Sequence, residues 1–177
     1  ARRDALAARG STAVTVAVDG REVAVVALAD APRPTAAAAV AALHEAGVRV
    51  VMLTGDNQKV ADAVAKEIGL TDAWGSLLPE EKVDAIKKLQ EQESKVAMVG
   101  DGVNDAPAMA NSTVGIAMGA AGSDVALETA DIALMGDKLE TLPFAIGLSR
   151  KAKGIIKQNL WISLGVVALL IPATILG

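Results

Sequence analysis

The sequence has 177 residues, a formal net charge of -4, no cysteine and a single histidine, His44. The lack of cysteine excludes disulfides and thiolate metal sites, and one histidine excludes a histidine-cluster metal site. The acidic balance argues against a nucleic-acid binder, which usually presents a basic face. Because the first residue is Ala1 rather than Met, we expect a piece of a longer protein.

The N-terminal part of the chain predicts a β-hairpin. Two runs of β-favouring residues, 12–18 and 22–28, flank Asp19-Gly20, a dipeptide preferred in hairpin turns. Residues 2–9 are predicted to be the end of a preceding helix.

Beyond the two prolines of segment 30–34, the pattern changes to alternating helices and strands. The prolines stop the sheet and stiffen the connection, so we place a domain boundary there. The strands are continuous apolar runs, and the first is expected to be buried on both faces. The predicted fold class is α/β, a Rossmann-like parallel sheet with helices on both faces. Helices are predicted at 35–46, 58–68, 79–92 and 123–129, and strands at 48–53, 95–99, 114–118 and 132–135.

A long C-terminal helix is predicted from residue 140 onward. Residues 160–177 carry no charge, and at about 1.5 Å per residue they span roughly 27 Å, close to the thickness of the hydrocarbon core. The alternative, an apolar helix inside a soluble domain, is disfavoured because this stretch lacks a polar face. Four basic residues before the stretch place its start on the cytoplasmic side. They are Arg150, Lys151, Lys153 and Lys157.

The acidic turn at 100–105 follows the second buried strand and is the most specific feature of the sequence. It holds two carboxylates, Asp101 and Asp105, with Asn104 between them. Carboxylates held close together repel each other unless a cation or proton intervenes, and such oxygens suit a Mg²⁺ site. Its glycines would let the backbone approach a phosphate. The alternative, a turn in which Asp105 caps the next helix, leaves Asp101 and the glycines unexplained.

A second polar loop follows the first buried strand. The Thr54 hydroxyl and the Gly55 N–H can donate to phosphate oxygens, whereas Asp56 or Asn57 can instead cap the next helix. Lys82 lies in the first turn of the third predicted helix, where the helix dipole disfavours a cation, so an anionic partner is expected. The carboxyl ends of parallel strands collect the chemistry of such sheets, which predicts one shared site.

Together these segments resemble the phosphorylation domain of P-type ATPases, which is similar to the wider haloacid dehalogenase superfamily. The long motif at 100–108, Gly-Asp-Gly-Val-Asn-Asp-Ala-Pro-Ala, carries most of the resemblance, and residues 54–56 and Lys82 add to it. The segment 148–159 looks like the approach to the seventh membrane helix of heavy-metal pumps. Residues 124–131 look more like the zinc, cadmium and cobalt pumps than the copper pumps.

The resemblance implies a role for each matching residue. Lys82 would neutralise charge on the transferring phosphoryl group, and Asp101 would ligate Mg²⁺ directly, with Asp105 in the same metal shell. ATP would be the phosphoryl donor. The residues implied to bind ATP or the aspartyl-phosphate are Thr54, Gly55, Asp56 and Lys82, with Asn104 completing the phosphate shell.

The resemblance also implies three parts of the chain. Residues 1–30 would end a nucleotide-binding domain, 31–148 would form the phosphorylation domain, and 149–177 would be a linker and a truncated membrane helix. The phosphorylated aspartate of the family lies in an Asp-Lys-Thr-Gly-Thr motif, which this sequence lacks. The chain alone is therefore expected to be inactive. The full-length protein would be a multi-pass pump of the cell membrane for a divalent heavy-metal cation, with this domain in the cytoplasm.

Two alternatives remain open. A soluble, Mg²⁺-dependent phosphatase of the haloacid dehalogenase type would need a nucleophilic aspartate before Thr54. Asp30 is available for that role, but the prolines after it fit a hinge better. The other alternative is a non-catalytic module that binds Mg²⁺, phosphate or another protein. The methionines at 109, 118 and 135 are predicted to fill the core rather than to bind copper, and His44 to lie on the surface.

Overall fold

The computed structural model describes 12–28, 31–100, 103–119, 128–134, 136 and 138–176. The chain divides into two compact units, Ala1–Glu140 and Thr141–Gly177. Several predicted features lie outside the described residues. These are the helix at 2–9, most of the helix at 123–129, Asp30, Asp101, Met135 and Gly177.

The predicted N-terminal hairpin is confirmed. Strands β1 (Thr12–Val18) and β2 (Arg21–Leu28) pair antiparallel. Asp19 and Gly20 join them with φ values of 50° and 76°. Positive φ at both turn positions matches the right-handed twist of the strands, which explains the Asp-Gly sequence.

The predicted α/β fold with parallel strand pairing is confirmed. One parallel pair joins β3 to β4, and a second parallel sheet has the order β5-β6-β7. The strand β4 was not predicted. The bounds are Val51–Leu53 for β3, Asp72–Trp74 for β4, Ala97–Gly100 for β5, Val114–Met118 for β6 and Ile132–Leu134 for β7.

Among the residues that the structure describes, helices α1 to α4 accompany these strands, and the second begins and ends where its capping residues predict. The Asn57 side chain accepts a hydrogen bond from the Val60 N–H, and Gly69 closes the helix with φ 80°. Thus Asn57 is an N-cap, as one of the two alternatives predicted. The bounds are Ala36–Glu45 for α1, Gln58–Ile68 for α2, Pro79–Glu93 for α3 and Ala106–Asn111 for α4, which follows a 3₁₀ turn at Val103–Asp105.

The buried core forms where α3 and α4 meet the second sheet. Leu53 of β3 packs against this cluster from the other strand pair. Met109 and Met118 are 1% and 4% exposed, so the prediction that they fill the core is confirmed, and His44 is exposed as predicted. The cluster comprises Ile86, Met98, Ala106, Ala108, Met109 and Ala117.

The prediction that the strand at 48–53 is buried on both faces is wrong. Only Val51–Leu53 is extended, and all three residues are half-buried. The physical reason is that, within the described residues, β3 pairs with β4 alone, and its other edge has no strand beside it. The strand β5 likewise pairs only with β6 there.

The second unit contains the helix α5, Thr141–Leu176, a single helix of 36 residues. It is long and apolar enough to cross a membrane, and none of its apolar window is buried within the structure. Its length and apolar composition agree with the predicted membrane span.

Candidate functional site

The clearest feature of the site is an ion pair between Lys82 and Asp105. The Lys82 Nζ donates to the Asp105 Oδ1 at 2.7 Å, and the two side chains are only 15% and 17% exposed. Lys82 stands in the first turn of α3, whose start is fixed by Pro79 and by the Glu81 carboxylate accepting from the Leu78 N–H at 2.7 Å. The anionic partner expected for Lys82 is therefore Asp105 in this structure.

Asp105 occupies the N-cap position of α4 but makes no side-chain capping hydrogen bond. The position predicted by the helix-cap alternative is thus correct, but the carboxylate does not cap the helix and turns to Lys82 instead. A mostly buried carboxylate needs such a partner, since an uncompensated charge out of water is costly.

Gly100, the last residue of β5, makes room for the Asp105 side chain. A Cβ added to Gly100 would lie 2.7 Å from the Asp105 Cβ and 2.9 Å from its Oδ2. The sequence predicted that the glycines admit a phosphate, but at this position the space is filled by the carboxylate. Gly100 thus shapes the site by leaving room for the Asp105 side chain. The sequence did not predict this role, because it gave all the glycines of the motif the same one.

The loop after β3 is folded around the Thr54 hydroxyl. The Thr54 Oγ1 accepts from the Asp56 N–H at 3.1 Å and lies 3.3 Å from the Asp56 Oδ2. Gly55 is exposed, and an added Cβ would be 3.5 Å from the Leu77 carbonyl oxygen, an ordinary contact. The hydroxyl of Thr54 therefore orders the turn, while the backbone at Gly55 stays open to solvent.

The two loops follow the carboxyl ends of β3 and β5. The Leu77 N–H donates to the Thr54 carbonyl oxygen at 3.1 Å, and the next residue, Leu78, is the N-cap of α3. The first loop is thereby joined to the start of the helix that carries Lys82. Asn104 lies in the 3₁₀ turn beside Asp105 and is exposed.

The chemistry of these side chains suits a hard cation but does not complete a metal site. Asp105 and Asn104 offer oxygen donors, as Mg²⁺ prefers. Among the described residues there is no group of three or more acidic or histidine side chains placed to hold a metal. The predicted direct ligand, Asp101, lies outside them.

Residues 1–113 match the family described as haloacid dehalogenase-like hydrolase. The chain belongs to this family. The placement of the two polar loops of this haloacid dehalogenase-like chain after parallel strands agrees with that assignment.

Known proteins similar to this haloacid dehalogenase-like chain are metal-transporting ATPases. A probable cadmium-transporting ATPase of Staphylococcus aureus is 51% identical over 166 residues, covering 92% of the chain and 21% of the relative. A copper-exporting P-type ATPase of Bacillus subtilis is 45% identical over 177 residues, covering 100% and 22%. The predicted similarity to heavy-metal P-type ATPases is confirmed, and the chain spans about a fifth of the length of these relatives.

A solved structure shows the same similarity. The crystal structure of a zinc-transporting PIB-type ATPase in its E2.Pi state superimposes with a TM-score of 0.85 at 45% identity. The match covers 98% of this haloacid dehalogenase-like chain and 28% of that one. The fold of the described elements is therefore that of one segment of a much longer pump.

Proposed function

We propose that this chain is the phosphate- and magnesium-handling segment of an ATP-driven pump for a divalent heavy-metal cation. The observation that carries the proposal is the mostly buried Lys82–Asp105 pair, in which Lys82 lies on a helix whose start is bonded through Leu77 to the Thr54 loop, in a chain similar to metal-transporting ATPases. A cation, a carboxylate and hydrogen-bond donors in loops after parallel strands are components that phosphoryl transfer needs, because that reaction depends on positioning and cancellation of charge.

Each residue then has a physical role. The Thr54 hydroxyl and the Gly55 N–H donate to the oxygens of an aspartyl-phosphate, with Asp56 toward the nucleotide. Lys82 supplies positive charge to the phosphoryl group, and its ammonium is already held in the site by its ion pair with Asp105. Asn104 completes the phosphate shell.

Oxygen donors on the acidic turn fit Mg²⁺, as the family similarity implies. Asp101 and Asp105 would hold the ion, which supplies further neutralisation of the phosphate charge when bound. The ion pair places the Lys82 ammonium next to the Asp105 carboxylate before phosphate and Mg²⁺ bind. Because Lys82 is fixed in the first turn of a helix, little reorganisation is needed when phosphate arrives.

The phosphorylated aspartate must come from outside this sequence, which has no Asp-Lys-Thr-Gly-Thr motif. Within the part of the chain that the structure describes, β3 and β5 each have one edge without a paired strand, which supports this part of the proposal. Each can take another strand, and Leu53 of β3 already packs against the core cluster that includes Met98 of β5. We infer that a strand of the longer protein, carrying the aspartate, pairs at these edges.

The transported ion and the membrane placement follow from the similarity and from α5. Identity is higher to the cadmium-transporting relative, at 51%, than to the copper-exporting one, at 45%, so a zinc- or cadmium-type cation is favoured. Residues 149–177 would lead into the membrane from the cytoplasm, after the phosphorylation domain at 31–148 and the end of the nucleotide-binding domain at 1–30.

The proposal is tested by the metal dependence of ATP hydrolysis in the full-length protein. Zinc or cadmium is expected to stimulate hydrolysis in purified, reconstituted protein, and monovalent copper to do so far less. Stimulation by copper alone would overturn the choice of metal. Mg²⁺-dependent hydrolysis of p-nitrophenyl phosphate by the chain alone, lost in Asp30→Asn, would favour the soluble phosphatase instead.

A further inference from the structure

The side chain of Gln58 bridges two backbone segments beside the candidate site. Its Oε1 accepts from the Gly75 N–H at 2.7 Å, and its Nε2 donates to the Ala73 carbonyl oxygen at 2.8 Å. The same Nε2 donates to the Asp62 Oδ1 at 2.7 Å, one helical turn further on. One amide thus ties the first residue of α2 to the end of β4.

The segment after β4 also holds the backbone of the loop at 54–56. The Thr54 N–H donates to the Trp74 carbonyl oxygen at 3.0 Å, and the Ser76 N–H donates to the Asp56 carbonyl oxygen at 2.5 Å. With the bond from Leu77 to Thr54 at 3.1 Å, both ends of the loop are fixed to this segment. The position of the loop therefore depends on where residues 74–77 lie.

Gly75 is the point of closest approach between the two segments. An added Cβ would lie 2.7 Å from the Gln58 Cα, 2.8 Å from its backbone nitrogen and 2.9 Å from the Asp56 carbonyl oxygen. All three are backbone atoms, which cannot swing aside as a side-chain end can. The next residue, Ser76, has φ 59°, an uncommon value for a residue other than glycine. A strained turn in such close contact is usually held by its surroundings.

We propose that Gln58 is a positioning residue for the phosphate-binding loop at 54–56, seated against the chain at Gly75. The proposal rests on the proposed function for its link to phosphate. Gln58 holds residues 73–75, residues 74–77 hold the loop, and the loop presents the Thr54 hydroxyl and the Gly55 N–H. A glutamine is required because one amide both donates and accepts. A glutamate would set a second oxygen against the Ala73 carbonyl and the Asp62 carboxylate.

The structural half of the proposal is tested by hydrogen exchange in the full-length protein. Gln58→Ala is expected to speed amide exchange at 54–57 and 74–77 by about tenfold, and Gln58→Glu by more, with the rest of the domain unchanged. Gln90→Ala is the matched control, because its Nε2 also donates to a backbone carbonyl, that of Asn111 at 3.1 Å. Unchanged exchange at the loop, or faster exchange throughout the domain, would overturn the proposal.

The functional half is tested by inhibition with orthovanadate, a phosphate mimic. Gln58→Ala and Gly75→Ala are expected to raise the inhibitory vanadate concentration about tenfold, with a smaller change in the KM for ATP, and Gln90→Ala to leave both unchanged. Faster loop exchange with unaltered vanadate inhibition would overturn the link to phosphate. Failure of vanadate to inhibit the unmutated protein would contradict the proposed function, while the exchange result would still decide whether Gln58 positions the loop.

Discussion

Replacing Lys82 by alanine is expected to lower the rate of phosphorylation by ATP at least about 10²-fold in the full-length protein. The ammonium is the cation that the structure places at the acidic turn, 2.7 Å from Asp105. Without it, the phosphoryl group and the Asp105 carboxylate would keep only the neutralisation that bound Mg²⁺ supplies. The measurement is single-turnover labelling with radioactive ATP in a rapid-quench instrument.

Lys87 provides a matched control on the same helix. Its ammonium lies 3.8 Å from the Asp84 Oδ1, and its side chain is 58% exposed. Lys87→Ala is expected to phosphorylate at the unmutated rate, because an exposed ion pair contributes little. A Lys82→Ala variant that phosphorylates as fast as the Lys87→Ala variant would show that the buried pair has no part in the chemistry.

The Lys82 substitution should also destabilise the domain. An orphaned, mostly buried carboxylate costs about 1–3 kcal/mol. Removing Asp105 as well removes the unpaired charge, so the double variant is expected to be more stable than Lys82→Ala alone and equally inactive. Chemical unfolding of the single and double variants distinguishes the loss of stability from the loss of chemistry.

Replacing Gly100 by alanine is expected to displace the Asp105 side chain and to abolish phosphorylation. The new Cβ would lie 2.7 Å from the Asp105 Cβ. The strand has little freedom to retreat, since Gly100 pairs with Ala117 of β6. Overpacking of this kind destabilises a protein by about 1–3 kcal/mol. Thermal unfolding and phosphoenzyme labelling measure the two effects.

Two further variants separate the clash from other effects of an added methyl group. Gly136→Ala is the control, because the nearest atom to its Cβ would be the Lys138 Cγ at 3.8 Å. Gly100→Ala combined with Asp105→Gly should regain stability, since the clashing Cβ and the carboxylate are both gone, but no activity. Normal labelling by Gly100→Ala alone would mean that Asp105 need not stay where the structure places it.

Local signals in the sequence correctly predicted the helices and strands whose ends are set by neighbouring residues. Asn57 and Gly69 flank α2, and both its first and last residues were predicted correctly, because a side-chain cap and a left-handed glycine are local features. The Asp19-Gly20 turn is also a local feature, and it correctly predicted that β1 and β2 form a hairpin. The strand at 114–118 was also correct, since it is a continuous apolar run.

Elements defined by distant partners were not predictable. Strand β4, Asp72–Trp74, has three residues and begins with a charge, so its extended conformation comes from pairing with β3 rather than from its own pattern. The shortness of β3 has the same origin. An apolar run indicates that burial is favourable but not which edges the rest of the chain covers.

The sequence proposed residues for the candidate site but did not indicate how they contact each other. It indicated that Lys82 needs an anion, yet the partner, Asp105, is 23 residues away. The contact between Gly100 and Asp105, and that between Gln58 and Gly75, depend on close approach of atoms in three dimensions. No spacing in the sequence encodes such contacts.

The most direct test of the account is whether ATP transfers its γ-phosphate to an aspartate of the full-length protein with the help of this chain. We predict an acid-stable, hydroxylamine-labile band that requires Mg²⁺ and is lost in Lys82→Ala and in Asp101→Asn. The 177-residue chain alone should give no band, because it lacks the Asp-Lys-Thr-Gly-Thr motif. A labelled band on the chain alone, or full labelling in both variants, would contradict the account.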